Sequence, residues 1–180
     1  MKKERTLRLN KNFHPCEVNE NEELCPNGIF VFNISRIIGH IDSGQLNAET
    51  EKIDVAEWYG KSFTKNIINE DHLKTVALKI PVIQAEISPG RYNMIDGRHR
   101  LEKAYRDQVK TLKSYRLKAE QLTPYFVDTQ GYQAFVGYCN NKLKDLESAR
   151  ELTSQIGPIW FQCFTHDDPD PFRCQSNIML

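Results

Sequence analysis

Hydrophobic positions along the chain fall into two periods, and the switches between them outline the elements. Ile29 to Ile34 (IFVFNI) is β-branched and aromatic and follows a Pro-Asn-Gly turn at 26–28, which predicts a first strand. Ile34, Ile37 and Ile38 then begin a short helical or turn segment that reaches His40. Asn47 to Phe63 reads as a helix capped by Asn47, with Val55, Trp58, Tyr59 and Phe63 on one face. A second helix is predicted over about Glu70 to Leu78, with Leu73, Val76 and Ala77 inward.

From Pro81 the period becomes two. Val82, Gln84 and Glu86 alternate with Ile83, Ala85 and Ile87, and Ser88-Pro89-Gly90 turns the chain into a second extended run, Tyr92 to Ile95. After Asp96-Gly97 the period is helical again, with Leu101, Ala104 and Tyr105 at i, i+3 and i+4. Thr111 to Leu117 alternates as a strand, and Lys118 to Leu122 leads to Thr123-Pro124. Tyr132, Phe135, Val136, Cys139, Leu143 and Leu146 keep a helical stripe over about 130–150, a pattern that reads as core.

At 180 residues and 39% hydrophobic content, one domain with an appended tail is expected. The net charge of zero provides no global attraction to nucleic acid or membrane, but its distribution is uneven. Arg98 to Lys118 holds eight Lys or Arg against Glu102 and Asp107, a local +6. Asp42 to Asp71 holds seven acidic residues against three lysines, a local −4. A cleft that binds an anion beside a carboxylate has this charge pattern; so do two solvated surfaces. No apolar run approaches the length of a membrane span, and the basic start MKKERTLRLNKNFHPC lacks a signal-peptide core, so cytoplasmic residence is the expectation. Five cysteines with no CxxC pair argue against a zinc site and a disulfide framework.

The strongest candidate chemistry lies at Asp96-Gly97-Arg98-His99-Arg100. Asp96 is expected to cap the helix that follows, and Gly97 to supply a positive φ or room for a ligand. A helix N-terminus binds anions through its unpaired N–H groups and its dipole, and two guanidiniums with an imidazole strengthen that field. The alternative is an ordinary Asp-Gly turn followed by a solvated basic face. His40 with Asp42 can orient a metal or a substrate hydroxyl, or simply belong to a capped loop. His166, Asp167, Asp168 and Asp170 can grip a cation or form a solvated loop.

Ile95 to Leu101, with Ala104 three residues on, resembles the signature box of the ParB/sulfiredoxin superfamily, and the flanking pattern supports the likeness over roughly Ile29 to Phe126. The resemblance implies an α+β fold: a small mixed sheet with flanking helices and a C-terminal helical extension. It divides the chain into a polar arm (1–27), a nucleotide-binding domain (28–126) and a C-terminal helix and tail (127–180). It also implies that Asp96, Gly97, Arg98, His99 and Arg100 hold the phosphates of ATP or another nucleotide with Mg²⁺.

Sulfiredoxins carry a cysteine where Arg98 stands, so sulfinic-acid chemistry lacks its nucleophile. Partition proteins carry a second arginine where His99 stands, and too little sequence follows Leu117 for their added domains. What remains is a stand-alone ATPase with DNase activity, similar in size and plan to a plasmid fertility-inhibition protein that acts against conjugative DNA transfer. The alternatives are a free-amino-acid kinase, a non-enzymatic inhibitor docking on a conjugation or replication protein through Trp160 to Phe164, or a nucleic-acid-binding module. That module would use the basic 98–118 segment, with Tyr105 and Tyr115 to stack on bases. His99 is the expected proton carrier, and Asp42 or Glu57 the expected catalytic carboxylate.

Overall fold

Two strands, Val82–Ser88 and Thr111–Leu117, form the centre of a four-stranded sheet. The structure, a computed structural model, describes residues 6–27, 30–61 and 68–156. In chain order the elements are β1 (Leu24–Asn27), β2 (Phe30–Asn33), α1 (Ile34–Asp42), β3 (Glu49–Asp54), α2 (Val55–Lys61), α3 (Glu70–Thr75), β4 (Val82–Ser88), β5 (Arg91–Asp96), α4 (Arg98–Arg106), β6 (Thr111–Leu117), α5 (Ala119–Leu122), a 3-10 turn (Thr123–Tyr125) and α6 (Thr129–Ile156). The chain forms two compact units, 1–142 and 143–180; in the second, only the continuation of α6 to Ile156 is described.

The sheet order is β3-β6-β4-β5. β4 and β6 run parallel, while β3–β6 and β4–β5 are antiparallel, so the sheet is mixed and the fold is α+β with a C-terminal helix. Because side chains alternate across a strand, the two faces of the sheet bury different cores. Ile83, Ala85, Ile95 and Leu117 join Phe32, Ile34, Ile37, Phe126 and Phe135 on one face. Val82, Met94, Leu112 and Ile53 join Leu101 and Ala104 of α4 and Val55 of α2 on the other. The stripe read in α6 packs as expected up to Cys139, where burial pushes the thiol up to about 12.

Three expectations change. Asn47–Phe63 is not one helix: Glu49–Asp54 is the edge strand β3, and among the described residues the helix covers Val55–Lys61. Alternation there is carried by Glu51 and Ile53 alone, too few apolar positions to reveal a strand. The helix predicted to Leu78 stops at Thr75. The arm holds a strand of its own, and Pro26 and Asn27 of the expected turn belong to it. Leu24–Asn27 pairs with β2, Leu7 is buried, and Phe13 stacks on Tyr132 with ring centroids 3.9 Å apart. Both backbone groups of Leu7 bond the side chain of Asn140, at 2.8 and 2.9 Å. Phe63, the Trp160–Phe164 run and the His166–Asp170 cluster lie outside the described residues. No helix among the described residues is long and apolar enough to cross a membrane.

Candidate functional site

The antiparallel hairpin β4–β5 delivers the chain to Asp96, and Gly97 then turns it into α4 with φ 99° and ψ 20°. This backbone conformation strains any residue with a side chain, and the space is closed as well. A Cβ on Gly97 would lie 2.5 Å from Cγ1 of Val82. The turn therefore requires glycine on two independent grounds. It sets the start of α4 directly against β4, and the first-turn N–H groups of α4 have no acceptor within the helix.

Asp96 does not cap α4, contrary to expectation: Gly97 occupies the cap position with no side-chain bond. The Asp96 carboxylate instead accepts from the Arg100 guanidinium at 2.5 Å, and the pair is only 14% and 15% exposed. A charged donor one helical turn on outcompetes a neutral backbone N–H for a carboxylate in a partly dry setting. Arg100 also donates to the carbonyl of Pro81 at 3.3 Å, while its Nε is buried without a partner. Two of the five box residues thus bind each other and brace the turn.

Arg98 and His99 are placed differently. Arg98 is exposed at the first position of α4 and makes no ion pair among the described residues. His99 is half-buried; its Nε2 accepts from the N–H of Asn69 at 3.4 Å, and its ring meets that of His72 edge-on, centroids 4.7 Å apart. Asn69 in turn caps α3 through the N–H groups of Asp71 and His72. The same end of α3 is held by Arg106, which donates to both oxygens of Glu70, the first residue of the helix, at 2.8 and 3.0 Å. Sequence reasoning missed His72 and Cys25. Burial raises the Cys25 thiol, with lesser effects from the Arg98 charge, which lowers it, and the Asp96 charge, which raises it. His72 had a weak signal, a histidine on a predicted helix; Cys25 had none.

The remaining candidates are dispersed. Asp42 is exposed at the last position of α1, and Glu57 is exposed on α2 in an i,i+4 pair with Lys61 at 2.6 Å. Neither touches a box residue among the described contacts. His40 bonds Tyr125 at 2.9 Å rather than Asp42. The basic segment is partly neutralised: Arg106 pairs with Glu70 and Glu102, and Arg116 pairs with Glu51 while lying over the Tyr92 ring. Tyr105 and Tyr115 do not share a surface. Tyr105 is exposed on α4, whereas Tyr115 packs on the opposite face of the sheet.

In comparisons with known proteins, no family model matches the chain, and no curated protein or solved structure matches it significantly. Among the described residues no three His, Cys, Asp or Glu side chains gather to hold a metal. The box has one carboxylate, Asp96, which Arg100 occupies, so these residues do not form a protein cage for Mg²⁺. They do form an anion-receiving surface: helix N–H groups, an outward guanidinium and an adjacent imidazole.

Proposed function

We propose that the chain binds the polyphosphate of a nucleotide, ATP in the first instance, at the Gly97 turn, and hydrolyses it. The observation that carries this reading is the Gly97–Val82 contact. A glycine required twice over, in a conformation that it alone adopts without strain, fixes the turn against Val82 and so fixes where the first-turn N–H groups of α4 begin. Arg98, without an ion pair among the described residues, adds an always-charged donor at the same turn.

In this reading the residues divide the work. The first-turn N–H groups and Arg98 hold phosphate oxygens and take up the charge that develops on them. The Asp96–Arg100 pair keeps the turn rigid, so that little reorganisation accompanies binding. His99, whose ring nitrogen already accepts a proton-bearing N–H, holds or passes a proton beside the phosphates. Mg²⁺ arriving with the nucleotide supplies charge neutralisation; no protein residue is assigned to it. The superfamily resemblance supports the same site, and with it a DNase activity and a role against conjugative DNA transfer as the wider setting.

The test is phosphate release from ATP by the wild type, Arg98→Ala and His99→Gln. Release by the wild type, with loss in both variants, supports the reading. Equal release by all three would place the chemistry elsewhere.

A further inference from the structure

A second ligand-sized space lies at the other end of α4, about 12 Å from the Gly97 turn by helical rise. It is an open cavity of about 530 Å³ between the start of α2 and the end of α4. Val55 and Val109 give it an apolar floor, and Tyr105, Gln108 and Lys110 give it an aromatic wall, an amide and a cation. Concave sites of this size with an apolar floor and a few polar groups are where small ligands bind.

Two features of the lining exceed what packing requires. First, Tyr105 is 46% exposed yet packed against a second ring. It stacks on Tyr59 at 3.7 Å and 3° from parallel, and Glu102, one turn away on α4, accepts from Arg106. An exposed ring fixed in this way is a platform with one aromatic neighbour already in place. Second, Gln108 has φ 56°, one of two described non-glycine residues with a positive φ. It stands where the helix closes: Gln108 N–H donates to the Tyr105 carbonyl and Val109 N–H to that of Ala104, a Schellman end in which glycine is the favoured residue. A glutamine kept at a glycine position, with its side chain lining a cavity, suggests that the amide is used.

The charge inventory limits the ligand. Arg106 is engaged by Glu70 and Glu102, and Asp54 accepts the N–H of Glu57. Lys110 makes no ion pair among the described residues. The cavity thus offers stacking, an amide that donates and accepts, and the Lys110 cation, with the still-charged Asp54 carboxylate at the start of α2 setting where a phosphate does not lie. We propose that it binds a nucleobase bearing a phosphate, stacked on Tyr105, read by the Gln108 amide and balanced by Lys110. The site is separate from the Gly97 turn and does not depend on it.

The same chemistry is presented by a free mononucleotide and by one unit of a single strand. Thymidine monophosphate and an oligothymidylate, titrated into the full-length protein, separate them. Tighter, steeply salt-dependent binding of the oligonucleotide assigns the site to a strand, and equal binding assigns it to the free nucleotide. Either probe should lose roughly ten-fold or more in affinity with Tyr105→Ala and keep it with Tyr105→Phe. Gln108→Gly should raise the melting temperature while weakening binding, a divergence that a purely structural role would not produce. Arg98→Ala should leave this binding unchanged even if it abolishes ATP binding at the turn. The proposal is overturned if the wild type binds neither probe at millimolar concentration. Unchanged affinity in Tyr105→Ala, or inorganic phosphate competing as well as the nucleotide, would also overturn it.

Discussion

The carboxylate of Asp96 and the guanidinium of Arg100, four residues apart across the strand-to-helix turn, are bonded at 2.5 Å and largely shielded from water. This relationship changes what each basic residue of the box can report. Removing Arg100 leaves an uncompensated, nearly buried carboxylate, so Arg100→Ala should destabilise the fold by about 2–3 kcal/mol. Denaturant titrations of Arg100→Ala, Asp96→Asn and the double variant measure it. The double variant should cost clearly less than the sum of the singles; strict additivity would show that the pair contributes no coupling.

Gly97→Ala meets both a positive φ and the Val82 side chain, and should cost about 2–4 kcal/mol. Adding Val82→Ala to that variant should relieve the steric part and leave the backbone part. If Gly97→Ala unfolds at the wild-type denaturant midpoint, the turn is not constrained as described.

The N-terminal segment is tied to α6 through Tyr132 and Asn140. Asn140→Ala removes both bonds to the Leu7 backbone and should cost about 1–2 kcal/mol. Amide exchange is the direct readout, with protection at Leu7 falling while protection in β4 and β6 is kept.

The hold of α4 on α3 has a defined pH range. Bonding to Arg106 lowers the Glu70 carboxyl below its ordinary value. A depressed carboxylate pKa gives stability that is present above the ordinary value and lost as pH falls through the folded one. The stability difference between wild type and Glu70→Gln should therefore be present at neutral pH and be lost as pH falls below the ordinary carboxylate range. As an exposed pair it should also shrink in high salt. Denaturation midpoints of the two proteins across that range test this, and a difference that persists in acid would exclude the ion pair as its source.

The legible parts of the chain were those whose pattern is enforced by burial or by a tight turn. β6 spans the residues its alternation predicts, because Leu112 and Ser114 face one core and Leu117 the other. The hairpin into α4 was readable from Ser88-Pro89-Gly90 and Asp96-Gly97. β3 was not, because an edge strand fills its inward face with Glu51, bonded to Gln84 and Arg116, where a central strand would carry an apolar residue. The box was found as a motif, but its internal division was hidden: no one-dimensional pattern distinguishes an arginine that folds back on Asp96 from one that faces outward. His72 reaches the box through tertiary packing against His99, which local sequence does not record.

The proposed role of the Gly97 turn is to hold nucleotide phosphates with the help of Arg98, which makes no ion pair among the described residues. Calorimetric titration of ATP with Mg²⁺ into wild type and Arg98→Ala tests it most directly, since this exposed side chain can be removed without disturbing the Asp96–Arg100 brace. The account predicts saturable binding by the wild type and a loss of roughly ten-fold or more in the variant, the scale of one charge-assisted hydrogen bond. Equal affinity in the two proteins, or no binding by either, would contradict it.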